Sequence, residues 1–101
     1  MSKNLEEISN KISVNKKYLR DMYGINGIGV FGSFARNEDT LLSDVDLLFD
    51  VDENKDKISL FDLADIKVFL ENVLGRTVDV MDKKNIKPSL KEIILKETIM
   101  I

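Results

Sequence analysis

The feature that most constrains this chain is the run Asp44-Val45-Asp46-Leu47-Leu48-Phe49-Asp50-Val51. Val45, Leu47, Phe49 and Val51 fall on one side of an extended strand and Asp44, Asp46, Leu48 and Asp50 on the other. One side therefore belongs to a core, while the other carries carboxylates in an element where aspartate is disfavoured. Asp44 and Asp46 project from the same face. At about 6 Å and an effective dielectric near 20 their repulsion is of order 2–3 kcal/mol before screening, a large cost for a domain with about 5–15 kcal/mol of net stability.

The elements around this strand can be read from periodicity and punctuation. Leu5, Ile8, Ile12, Leu19 and Met22 lie near helical spacing, which predicts one amphipathic helix over residues 2–23, stopped at Gly24. A short apolar run over 25–31 predicts a buried strand. Gly32-Ser33 ends it, Phe34-Ala35-Arg36 opens a short helix, and 37–43 is a polar loop. After a charged connection over 52–57, Ser59 and Asp62 form a capping box with Asp in place of the usual Glu. The helix they start buries Leu63, Ile66, Phe69, Leu70 and Val73 and ends near Gly75. Residues 76–81 form a third strand with Asp79 in its middle. Pro88 sits in the first turn of a last helix, whose expected buried positions are Leu90, Ile93 and Ile94. The closing Thr98-Ile99-Met100-Ile101 is apolar enough to belong to the core or to a docking surface.

The expected order is α-β-α-β-α-β-α: an α/β (α+β) fold with a small mixed sheet and packed helices, one domain over 1–101. Antiparallel pairing of the first two strands sets Gly32-Ser33 beside Asp44 and Asp46.

Composition narrows the chemistry. The chain has no cysteine and no histidine, which excludes a disulfide framework, a thiol nucleophile, an imidazole base and thiolate- or imidazole-bound metal. Carboxylate, hydroxyl, lysine and arginine remain, a set that favours a hard cation such as magnesium. The net charge is −3 and the pI near 4.9. Small clusters such as Lys16-Lys17 and Lys83-Lys84-x-x-Lys87 read as solvated surface, so the charge argues against direct nucleic-acid binding and for a protein or small-molecule acceptor. No apolar run approaches the ~20 residues that span a bilayer, and the first residues lack the apolar centre of a signal peptide. The expected location is the cytoplasm.

With eleven aspartates in the chain, an Asp-x-Asp pair arises readily by chance and is a weak signal by itself. Gly32-Ser33 strengthens it: glycine allows close backbone approach to a phosphate, serine adds a hydroxyl, and the amides form an anion-binding corner. A phosphate corner and a metal-binding edge at the junction of two neighbouring strands make a triphosphate site.

The segment Val30-Phe31-Gly32-Ser33-Phe34-Ala35-Arg36, followed after an interval by Ser43-Asp44-Val45-Asp46-Leu47-Leu48, resembles the signature of the polymerase-β-like nucleotidyltransferase superfamily. The short length and the closing helix from Pro88 resemble its minimal nucleotidyltransferase (MNT) subgroup. The resemblance covers about residues 25–100. It implies that Gly32 and Ser33 bind phosphate, that Arg36 steadies it, and that Asp44, Asp46 and Asp79 hold Mg2+, with ATP or another nucleoside triphosphate as substrate. Asp79, whose assignment depends on strand register, is also the implied base. Asn37 stands where relatives often have glycine, a departure that asparagine's tolerance of left-handed backbone accommodates.

The resemblance further implies transfer of a nucleoside monophosphate to a hydroxyl by in-line displacement. A chain of this length leaves no room for the acceptor-binding domain of larger relatives, so the acceptor surface is expected from a partner or a second copy, in a hetero- or homo-oligomer. Minimal nucleotidyltransferases of this kind resemble the antitoxin half of type VII-like toxin–antitoxin pairs, and the implied partner is a HEPN-type toxin adenylylated on a tyrosine. Two alternatives stay open from the sequence: inhibition by binding alone, and transfer to a small-molecule hydroxyl.

Overall fold

The computed structural model describes residues 3–52 and 58–101. The charged connection expected over 52–57 lies, apart from Asp52, outside the described residues, as does the expected helix start at Ser2.

Where the spacing predicts one N-terminal helix, the chain forms two, α1 (Lys3–Ser13) and α2 (Lys16–Tyr23). The break is local. The Asn15 N–H donates to the Ile12 carbonyl at 2.9 Å, and its side-chain amide donates to the Lys11 carbonyl at 2.8 Å. A short amide side chain thereby takes over a carbonyl that would otherwise serve the helix ladder. The change of direction keeps Leu5, Ile8, Ile12 and Leu19 buried but leaves Met22, an expected core residue, 60% exposed.

Strand β1 (Ile25–Phe31) runs antiparallel to β2 (Val45–Val51), as expected. The segment between them contains no full helix. The Arg36 N–H bonds to the Gly32 carbonyl at 3.1 Å, and then the Glu38 and Asn37 N–H groups reach back to the Ser33 and Phe34 carbonyls at 2.8 and 3.3 Å. With Asn37 at φ 58°, this is a single turn closed by a Schellman motif. The expected short helix is thus shortened to one turn, because the left-handed residue arrives before a second can form. Phe34, fully buried, anchors the turn in the core, a contribution of roughly 1.5–3 kcal/mol. The Arg76 guanidinium lies 5.1 Å from its ring centroid.

Helix α3 (Leu60–Leu74) starts with the expected capping box: Asp62 N–H donates to Ser59 Oγ and Ser59 N–H to Asp62 Oδ2. It returns the chain to β3 (Val78–Asp82), which pairs parallel with β2. Ile66, Leu70 and Leu74 are its buried residues, with Leu63, Phe69 and Val73 packed at the margin. A 3-10 turn at Lys83–Asn85 leads to α4 (Pro88–Glu97), with proline in its first turn.

The apolar end of the chain forms an unpredicted strand, β4 (Ile99–Met100), antiparallel to β1 through Gly29↔Met100 and Val30↔Ile99. The sheet order is β3-β2-β1-β4. Ile99 and Ile101 pack against the core, and this changes the role of α4. Leu90 and Ile93, expected to be buried, are 46% and 63% exposed, and Ile94 is only partly buried. The helix approaches the sheet at β1, where the residues after it provide the burial. The α+β class with a mixed sheet stands, with two helices before the first strand, one turn in place of the second expected helix, and a fourth strand.

Gly29 makes that fourth strand possible. A Cβ on Gly29 would overlap Thr98 Cγ2 and stand 2.9 Å from Met100 Sδ, whereas one on Gly27 would meet its neighbours at an ordinary 3.4 Å. Gly29→Ala is therefore expected to destabilise the protein by about 1–3 kcal/mol through overpacking, and Gly27→Ala by clearly less. Urea denaturation of the two variants checks the ranking, and equal costs would contradict this account of β4.

Candidate active site

The acidic side of β2 is built by register. Val45 pairs with Val78 and Leu47 with Val80, which places Asp46 directly opposite Asp79. Residues in register on neighbouring strands point to the same side of the sheet, so the third carboxylate shares a face with the first two. Asp44 immediately precedes β2 and is held by the Val45 N–H, which donates to the Thr77 carbonyl at 2.9 Å. The sequence places Asp79 mid-strand; the structure places it one residue after the start of β3.

The three aspartates differ in environment. Asp44 and Asp79 are exposed and Asp46 is half-buried. Burial pushes the Asp46 carboxyl above its ordinary range, and the charges of Asp79 and Asp44 push it further; Arg36 opposes the shift. Lys67 Nζ on α3 reaches Asp79 Oδ1 at 3.8 Å. Among the described residues, no three acidic side chains converge closely enough to enclose a cation by themselves. The donor set still fits magnesium, which uses one or two carboxylates and takes its remaining ligands from water and phosphate. A cation would also relieve the repulsion that raises Asp46.

Gly32 closes the site from the β1 side. Phe31 lies opposite Asp46 in the antiparallel register, so the next residue turns over the Asp46 side chain. Gly32 has φ +74°, and a Cβ there would overlap Asp46 Oδ2. Both the backbone angle and the contact require glycine. Ser33 follows, half-buried in the turn. The expected phosphate corner and carboxylate edge thus adjoin, as antiparallel pairing implied.

Arg36 is engaged within the protein. Its Nε donates to Glu38 Oε2 at 3.1 Å and its Nη1 to both oxygens of Glu97 at 3.2 and 3.1 Å. These two carboxylates, Glu38 first, hold it in its charged form. Glu97 also accepts the Gly32 N–H at 2.9 Å. Sequence reasoning missed both Glu97 and Lys67. The one available signal for Glu97 was a carboxylate in the last turn of a helix, where the macrodipole disfavours it. Lys67 carried no signal, since its approach to Asp79 depends on how α3 sits against β3.

A consequence for stability follows from Asp46. Its folded-state pKa lies above the unfolded value, so its ionised form is penalised by folding. The penalty is absent below the ordinary pKa of 3.8 and grows as pH rises through the higher folded value. Asp46→Asn is expected to melt above wild type at pH 7, with the advantage vanishing below about pH 3.8. Thermal melts of both proteins across pH test this, and a variant less stable at neutral pH would contradict it.

The chain matches the nucleotidyltransferase domain family over residues 12–101. It is 37% identical over 97 residues to the protein adenylyltransferase MntA of Thermococcus cleftensis, covering 96% of this chain and 95% of that one. A solved structure described provisionally as a minimal nucleotidyltransferase superposes with TM-score 0.69 at 33% identity, over 93% of this chain and 88% of its own. A crystal structure of a toxin–antitoxin with AMP-PNP shares the fold, with TM-score 0.72 at 23% identity over 90% of this chain and 69% of that one. Similar from end to end to such relatives, and carrying the Gly-Ser turn against the paired aspartates, the chain belongs to the nucleotidyltransferase domain family as one of its minimal members, and it is a nucleotidyltransferase.

Proposed function

We propose that the protein transfers AMP from ATP to a hydroxyl of a partner protein, a tyrosine of a HEPN-type toxin, and so acts as the antitoxin of the pair. The observation that carries this reading is the register that sets Asp44, Asp46 and Asp79 on one face beside Gly32 and Ser33. The name of the Thermococcus relative, a protein adenylyltransferase, supports a protein acceptor. The toxin–antitoxin neighbour with AMP-PNP, a fold relative, supports the pairing and the nucleotide.

In the proposed reaction the acceptor hydroxyl oxygen attacks the α-phosphorus, the bond to the bridging oxygen breaks, and pyrophosphate leaves. Asp79 takes the hydroxyl proton, the role left to a carboxylate in a chain without histidine. Its exposure at the edge of the site suits a base that must meet a group carried by another protein. The Gly32 N–H and the Ser33 hydroxyl receive phosphate oxygens, and Arg36 stands beside them. Asp44 and Asp46, with Asp79, would hold magnesium, which supplies positive charge to the attacking and leaving oxygens when bound.

The surroundings also fit a large acceptor. Leu41 and Leu42, each 93% exposed, stand on the loop between the Gly-Ser turn and Asp44. They border an open cleft of about 660 Å3 shared with Asn72, Arg76 and Thr77. Two neighbouring leucines in water, two and three residues before Asp44, suit contact with a protein better than with a small polar molecule.

The test is the intact mass of a cognate HEPN-type toxin after incubation with this protein, magnesium and ATP. A mass increase of one or more AMP groups on a toxin tyrosine is expected, and it should be absent with Asp44→Ala/Asp46→Ala. A stable, inhibited complex whose toxin mass never changes would overturn catalysis in favour of inhibition by binding alone.

A further inference from the structure

The Gly32 N–H and the Arg36 guanidinium, two donors of the proposed phosphate corner, are both engaged by one internal anion. Glu97, the last residue of α4, accepts the Gly32 N–H on Oε1 at 2.9 Å and Arg36 Nη1 on both oxygens at 3.2 and 3.1 Å. Its side chain is only 21% exposed, against 46% for Arg36. A carboxylate held by a backbone amide and a guanidinium presents the charge and the oxygens that a phosphate would present there.

Glu97 is not placed for the benefit of its helix. A negative charge in the last turn faces the negative end of the helix dipole, which costs stability. It also adds to the acidic field around Asp46. A residue that is unfavourable for its helix and for the carboxylates near it is accounted for by the donors it occupies. The contact also spans the chain, joining the turn after β1 to the helix that leads into β4, next to the Gly29–Met100 pairing.

We infer that Glu97 is an internal competitor for the triphosphate: it fills the Gly32–Arg36 corner in the free protein, and an incoming phosphate must displace it. This inference rests on the nucleotide-binding reading above. Its consequence is that the site's affinity for nucleotide is set partly by the last helix. Displacement also frees the end of α4 from the Gly32 turn whenever nucleotide is bound. Arg36, paired with Glu97 before substrate arrives, exchanges one anionic partner for another.

The test is isothermal titration of magnesium and AMP-PNP into wild type, Glu97→Gln and Glu97→Ala, each first shown by thermal melting to be folded. Glutamine keeps the size and one acceptor oxygen but removes the charge, so the competing bond falls from charge-assisted to neutral strength. AMP-PNP should then bind about five- to tenfold tighter, with Glu97→Ala at least as tight. Wild-type binding with no gain, or a loss, in both folded variants would overturn the competitor role and leave the nucleotide site standing. No AMP-PNP binding by any of the three proteins would overturn both.

Discussion

The parallel register between β2 and β3 is the constraint on which the rest of this protein depends. The apolar pairs Val45↔Val78 and Leu47↔Val80 settle the strands against the helices, and the carboxylates follow on the other side. Because side chains alternate with a period of two, a slip of one residue would turn Asp79 toward the core and Val78 and Val80 away from it. Burial of those valines therefore holds Asp46 and Asp79 together against a repulsion neither would tolerate in a free chain. The core supplies the energy, and the exposed side of the same strands carries the chemistry.

A similar division governs the turn after β1. Phe34 is fully buried, so the turn's position is decided by packing. Gly32, two residues earlier, is brought over the Asp46 carboxylate with a left-handed backbone and no room for a side chain. The closing left-handed residue is Asn37. Asparagine reaches this geometry at smaller cost than most residues, so the turn closes here. One aromatic anchor and two left-handed residues create the corner at which backbone and carboxylate meet.

The C-terminal segment has a larger part than its length suggests. It completes the sheet on the far side of β1, and the Ile101 backbone oxygen accepts from Lys16 Nζ at 2.7 Å, tying it to α2. Through Glu97 it also touches the Gly32 turn. The helix before it remains half in water, with Leu90 and Ile93 exposed. In this region sequence periodicity misleads: an amphipathic pattern reports which face is apolar, and the partner that covers the face is a separate matter.

The sequence by itself determined the strands at residues 25–31 and 44–51 (the second begins one residue later, at Val45, in the structure), their antiparallel pairing, the capping box at Ser59, and the adjacency of Gly32-Ser33 to Asp44 and Asp46. These are short-range features, carried by two-residue alternation, punctuation by glycine and serine, and one short connection. The family could also be read from them, because the residue spacing of the signature is itself local. Only the tertiary structure decided that Asp79 faces Asp46, that Asn15 divides the first helix, that the last residues form an edge strand, and that Glu97 and Lys67 reach the site. Each of these is set by packing between segments far apart in the chain, for which local periodicity carries no information.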